Sequence, residues 1–146
     1  GSIDNRGADI AVRSVNEMVA EAKSEIQNIS PAEALRRSAE DGALIVDIRD
    51  IRELQREGAI PGAHHAPRGM LEFWVSPDSP YTKEVFQEDR EFILCCAGGL
   101  RSAISTKLLQ DMGMERMSHV ETGFGGWQKD GMPVEDYDTW KANRSK

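Results

Sequence analysis

The sequence predicts an α/β fold in which helices flank both faces of a mostly parallel central sheet. Two short apolar segments, residues 43–47 and 91–95, lack the polar alternation of a half-exposed strand and read as strands buried on both faces. Helical segments follow them, at 51–56 and 102–112, which is the alternation of βαβ units. At 146 residues, with 39% hydrophobic and 29% charged side chains, the chain suffices for one domain with its own core.

Residues 8–27 carry Ile10, Val12, Val15, Met18, Val19, Ala22 and Ile26 at a spacing that gives one apolar helical stripe. Asn28-Ile29 reads as a connector. Ser30-Pro31-Ala32-Glu33 then supplies an N-cap, a proline at the first helical position and a glutamate at the third. That helix should run to about Ala39 and stop before Asp41-Gly42. The strand 43–47 follows, then a helix over 51–56 closed by Gly58, a turn over Ala59-Ile60-Pro61-Gly62-Ala63, and a short extended piece at 64–67. Residues 70–75 and 81–87 each suit a helical turn or more. After the strand 91–95 the helix 102–112 has Gly113 as its C-cap. A short strand at 118–121, a glycine-opened helix at 123–130 and a polar tail from Pro133 complete the chain. Residues 1–29 are therefore expected to form an N-terminal helical extension, beginning with a Gly1-Ser2 cloning remnant, and residues 30–146 the main domain with its polar tail.

Net charge of −7 argues against a nucleic-acid binder, which would present a basic face. Apolar runs such as Ala43-Leu44-Ile45-Val46 are too short to span a bilayer, and no secretory signal opens the chain. No membrane or nucleic-acid partner is expected. The only two cysteines, Cys95 and Cys96, are adjacent, so no disulfide framework is expected and a reducing, cytoplasmic-type compartment fits. A native targeting segment ahead of Gly1 would leave organelle targeting open. His64, His65 and His119 lack the spacing of a metal site, and no metal is expected.

The chemistry concentrates at Cys95-Cys96-Ala97-Gly98-Gly99-Leu100-Arg101-Ser102. A buried strand ends in a cysteine, a glycine-rich loop follows, and a helix opens at about Ser102. That places the Cys96 thiol beneath backbone N–H groups, at the positive end of a helix and beside Arg101, a setting that stabilises a thiolate and holds an anion next to it. Cys96 is the candidate nucleophile. Ala97, Gly98, Gly99, Leu100, Arg101 and Ser102 are the candidate substrate-binding loop, with Arg101 placed to grip an anionic donor and Ser102 to cap the helix and hydrogen-bond the loop. Alternation along the strand sends Cys95 to the opposite side, into the packed sheet. Asp47 and Arg49 end the first buried strand, at the carboxyl ends of the strands where Cys96 also lies, and are candidates for bracing the loop; an Arg49–Glu53 pair at i,i+4 is the plainer alternative. Arg68, after Pro67, is a candidate for the entrance.

With these residues in place the chain resembles the single-domain rhodanese-like sulfurtransferases. Three separated segments carry the likeness over roughly 30–135. Asp47-Ile48-Arg49, then Glu53, then Gly58-Ala59-Ile60-Pro61-Gly62-Ala63 follow the family's Asp-x-Arg, glutamate and Gly-His-Ile-Pro-Gly-Ala-like turn, with Ala59 in the place of the histidine. Cys96 to Ser102 follows its Cys-x-x-Gly-x-Arg-Ser loop. Glu121-Thr122-Gly123-Phe124-Gly125-Gly126-Trp127 is similar to its Gly-Gly-Phe-x-Gly-Trp segment.

The resemblance implies a rhodanese-like fold and a transfer of sulfane sulfur without cofactor. Cys96 would take sulfur from a donor such as thiosulfate, become a persulfide, and pass the sulfur to cyanide or a thiol, a protein acceptor being possible. Two alternatives accompany it. One is a persulfide relay or interaction module with little turnover of free thiosulfate. The other is a cysteine phosphatase or arsenate reductase on the same fold. The phosphatases use a Cys-x5-Arg loop, one residue longer than the interval from Cys96 to Arg101.

Overall fold

The structure is a computed structural model that describes residues 12–144. It is an α/β sandwich built on a five-stranded sheet, every pair of neighbouring strands parallel. The elements follow one another as α1 (Val15–Glu25), β1 (Gln27–Ile29), α2 (Pro31–Glu40), β2 (Leu44–Asp47), α3 (Ile51–Glu57), β3 (His64–His65), α4 (Leu71–Val75), β4 (Phe92–Cys95), α5 (Leu100–Asp111), β5 (Met117–Val120), α6 (Gly123–Lys129) and α7 (Tyr137–Arg144). Short 3₁₀ turns occupy Arg68–Met70 and Glu84–Gln87. The strand order β1-β5-β4-β2-β3 puts β4 at the centre, and the register aligns Asp47 with Cys95 at the carboxyl ends of β2 and β4.

Helices cover both faces, as the unbroken apolar strands require. On one face Ile29, Ile45, Ile93, Cys95 and Val120 pack against Ala34 of α2 and Phe124 and Trp127 of α6. On the other, Val46, Phe92, Leu94 and Met117 pack against Leu71 and Val75 of α4 and Leu109 of α5. The alternation of side chains along β4 is what sends Cys95 to the first face and Cys96 to the second. Among the described residues no helix is long and apolar enough to cross a membrane.

The predicted helix starts hold where the capping chemistry is local. Ser30 accepts the Glu33 N–H at 3.1 Å with Pro31 at the first turn, and Asp50 with Glu53 forms a reciprocal capping box at the start of α3. Two expectations are corrected. Asn28-Ile29 is not a connector: with Gln27 it forms β1, an edge strand paired with β5 from Gln27–Ser118 to Ile29–Val120. The expected helix over 8–27 is therefore α1, ending at Glu25; its residues 8–11 lie outside the described ones. The tail beyond Pro133 is polar but not featureless. Glu135 pairs with Ala59 in an antiparallel bridge, and α7 inserts Trp140 against Leu54 and Ala59, where its indole N–H donates to the Ala63 carbonyl at 3.0 Å. One buried tryptophan anchors an otherwise polar helix. On the opposite side α1 lies along α5, burying Val19 and Ala22 against Ala103.

Candidate active site

The loop after β4 folds around one sulfur. Cys96 Sγ accepts the Gly99 N–H at 3.1 Å and the Ser102 N–H at 3.3 Å, and its own S–H donates to Ser102 Oγ at 3.4 Å. Gly99, at φ +94°, reverses the chain so that α5 starts at Leu100 with its first-turn amides turned towards Sγ. A Cβ at Gly99 would collide with the Glu121 carbonyl, so only glycine fits. Ser102, expected as the cap, sits instead inside the first turn, fully buried, because Gly99 has taken the N-cap position; its hydroxyl faces Cys96 and His119.

The loop is held from behind by α6. Phe124 N–H donates to the Cys96 carbonyl at 2.7 Å and Gly125 N–H to the Ala97 carbonyl at 3.0 Å. This close approach depends on Gly123, at φ +68°, where a Cβ would meet Ala97 O at 2.5 Å. The glycines of the 121–127 segment thus let α6 seat directly against the active loop.

Asp47 and Arg49 form a buried brace. Arg49 Nη2 donates to Asp47 Oδ2 at 2.8 Å and to the Gly58 carbonyl at 2.9 Å, while its Nη1 lies 3.4 Å from Glu57. The guanidinium also stacks 3.9 Å from the centre of the Phe124 ring, the residue whose amide holds the Cys96 carbonyl. The alternative Arg49–Glu53 pair does not form. Glu53 is the partner of Arg101, with Nη1–Oε2 at 2.9 Å and Nη2–Oε1 at 3.1 Å. Arg101 holds the Glu53 pKa below the usual carboxylate value, assisted by the Asp50 N–H of the α3 capping box. Arg68 turns to Glu72 on α4 at 3.0 Å, and Leu100 is exposed at the start of α5. The loop residues are thus gathered at Cys96, Asp47 and Arg49 stand behind them, and the Arg68 side chain is engaged with its own helix.

One buried group carried no motif in the sequence. His119, on β5, places Nδ1 2.8 Å from Ser102 Oγ and Nε2 2.7 Å from Asn28 Oδ1. Burial, and then the charge of Lys23, push its pKa down to about 4. The only available signal was period-2 counting along β5, which turns His119 towards α5.

The Rhodanese-like domain family matches residues 30–130, and the chain belongs to that family. It is 29% identical over 107 residues to the thiosulfate sulfurtransferase GlpE of Actinobacillus pleuropneumoniae, covering 73% of this chain and 91% of that protein. It is 32% identical over 111 residues to YtwF of Bacillus subtilis, which carries a sulfurtransferase name, covering 75% and 97%. Among solved structures it is similar to a Rhodopseudomonas palustris protein of unknown function described as a possible tyrosine phosphatase. That pair has a TM-score of 0.82 and 48% identity, covering 88% of this chain and 98% of the other.

The phosphatase description has a visible counterpart here. Counted from Cys95, five residues precede Arg101, which is the phosphatase spacing; counted from Cys96, four do. The two cysteines are not equivalent. Cys95 Sγ lies in the α2–α6 core with its S–H towards the Cys96 carbonyl at 3.6 Å, and burial pushes its pKa well up. The sulfur that faces the loop amides is that of Cys96.

Proposed function

We propose that the protein is a sulfurtransferase that carries sulfane sulfur on Cys96. The observation that carries the reading is the loop itself. Gly99 and Ser102 direct N–H groups at the Cys96 sulfur over an interval to Arg101 that is one residue short of a phosphatase cradle. Donors act strongly only when held close to the charge they stabilise, at about 2.7–3.1 Å for oxygen and slightly longer for sulfur. A small ring suits a single added sulfur better than a tetrahedral phosphate. The sulfurtransferase names of relatives at modest identity support the same reading.

In the first half-reaction the Cys96 thiolate attacks the outer sulfur of thiosulfate. A sulfur–sulfur bond forms to Cys96, and the bond within thiosulfate breaks with its electron pair leaving on sulfite. In the second, cyanide or a thiolate attacks the terminal sulfur of the persulfide, and the Cys96 thiolate is regenerated. No net redox partner is needed. A physiological donor or acceptor that is itself a protein would use the same two steps.

The test is to mix the protein with thiosulfate without reductant and map the added mass by peptide mass spectrometry. One extra sulfur on Cys96 supports the proposal. Label on Cys95, or none with thiosulfate or polysulfide, would overturn it. Cys96-dependent hydrolysis of an aryl phosphate would favour the phosphatase reading instead.

A further inference from the structure

Behind the candidate nucleophile runs a continuous chain of hydrogen bonds that leaves the loop and ends on the N-terminal elements. Cys96 S–H donates to Ser102 Oγ at 3.4 Å; Ser102 Oγ and His119 Nδ1 lie 2.8 Å apart; His119 Nε2 and Asn28 Oδ1 lie 2.7 Å apart. Ser102 and His119 are completely shielded from solvent. Asn28, which belongs to β1 and falls outside the span matched by the family, fixes the direction of the whole chain. Its Nδ2 donates to the carbonyls of Lys23 and Ile26 at 2.9 and 3.3 Å. Carbonyls only accept, so the amide group must face them and Oδ1 must face the imidazole. Oδ1 in turn only accepts, so Nε2 carries the proton and Nδ1 is left bare, accepting from Ser102 O–H.

We infer that His119, acting through the Ser102 hydroxyl, is the acceptor for the proton that Cys96 gives up on becoming a nucleophile. This rests on the reading of Cys96 as the nucleophile. The step balances over two hydrogen bonds. The S–H bond breaks with its electron pair staying on sulfur and its proton passing to Ser102 Oγ, while the hydroxyl proton passes to His119 Nδ1. Ser102 ends neutral, Cys96 negative and His119 positive. Every group has a partner before and after. Afterwards Sγ receives the Gly99 and Ser102 amides and the Ser102 hydroxyl, Ser102 Oγ accepts from Nδ1, and Asn28 Oδ1 still accepts from Nε2. A thiolate formed without the relay would draw the Ser102 hydroxyl away and leave a buried bare Nδ1, which is costly.

The electrostatic surroundings keep the resting imidazole neutral, with Nδ1 free to accept. Among the described residues the charged group bearing on His119 is Lys23 of α1, itself 3.9 Å from Glu121 beyond β5; Asn28 and Ser102 are neutral. With a neutral thiol nearby, burial and Lys23 keep the imidazole uncharged. A negative sulfur at the other end of the relay would attract the proton towards the imidazole. His119 is a positioning and proton-holding residue, since it reaches sulfur only through Ser102.

The experiment compares the rate of Cys96 alkylation by iodoacetamide, mapped by mass spectrometry, across pH in the native protein and in His119→Phe. The rate at neutral pH should fall about tenfold in the variant and its profile should shift to higher pH, one decade of rate corresponding to one unit. An unchanged or faster rate would overturn the relay, because it would mean that His119 is idle or holds the thiol protonated. Label on Cys95 in the native protein would instead remove the nucleophile itself, and the relay with it. Should His119→Phe fail to fold, nitrogen NMR of histidine-labelled native protein decides. Nδ1 of His119 should gain a proton as the thiol ionises, and the step should vanish in Cys96→Ser. A ring that keeps a bare Nδ1 through thiol ionisation would overturn the proposal.

Discussion

Arg101 and Glu53, 48 residues apart, meet in a two-pronged ion pair whose carboxylate also accepts the Asp50 N–H that starts α3. The arginine of the active loop is therefore already engaged by a carboxylate. An anionic donor of the kind proposed would have to compete with Glu53 for it.

On the proposed function, that competition would make Glu53 a control on donor use. Glu53→Gln should release the guanidinium and lower the KM for thiosulfate about threefold, whereas Arg101→Ala should lower kcat/KM for thiosulfate about ten- to a hundredfold, hydrogen bonds to charged groups contributing about 1.5–3 kcal/mol. Initial rates of thiocyanate formation from thiosulfate and cyanide measure both. Identical constants in all three proteins would mean that Arg101 stays with Glu53 throughout turnover.

The two cysteines should separate cleanly. Cys96→Ala should abolish sulfur transfer, while Cys95→Ala should keep most of it and lose about 1 kcal/mol of stability from the α2–α6 core. Equal loss of activity from both, in the same assay, would point to a vicinal dithiol mechanism.

Close backbone approach makes Gly123 sensitive to a single methyl group. Gly123→Ala puts a Cβ onto Ala97 O at a positive φ and should cost at least about 2 kcal/mol, with activity falling further than stability as the loop is pushed off α6. Urea unfolding read beside the transfer rate would expose the opposite result, an undisturbed loop.

Acid should act in two windows. The His119 pKa is depressed from 6.5 to about 4, so between those values the unfolded chain binds the extra proton and stability falls on acidification, by roughly 3 kcal/mol at most at 1.36 kcal/mol per unit. Glu53 is likewise depressed from 4.5; its contribution is present above that value and is lost as pH drops through its lowered pKa. Arg101 is 41% exposed, which keeps that second contribution small. Denaturant midpoints measured across pH in native protein and His119→Phe should differ in slope between pH 6.5 and about 4. Parallel slopes would show that His119 charges without penalty.

Trp140→Ala should lose about 3–5 kcal/mol, because the indole fills the space between α3 and the 58–63 turn and donates to Ala63. A thermal melt little different from the native one would mean that α7 merely rests on the surface.

The parts of this molecule that were legible in its sequence are those whose cause is local. Ser30-Pro31-Ala32-Glu33 carries its own cap, residues 43–47 their own burial pattern, and Cys96 to Ser102 a loop whose amides serve the sulfur a few residues away. What escaped depends on partners distant in the chain. Gln27-Asn28-Ile29 is three residues long and exists as a strand only because β5 lies beside it. Arg101 meets Glu53, 48 residues back in the chain, and Ser102 meets His119, 17 residues on. α7 hides in a polar tail because its docking rests on Trp140, with Tyr137 beside it, against Leu54 and Ala59.

The three residues of β1 carry a consequence for any shortened form of this chain. A fragment starting at Ser30 would keep every segment of the family match and still leave the outer rim of β5 open, its amides and carbonyls unpaired and parallel to an empty lane. Such a rim templates the addition of a foreign strand. The expected behaviour of the trimmed fragment is to associate through that rim, reversibly or into larger aggregates, and a synthetic peptide bearing residues 12–29 should suppress it by reoccupying the lane.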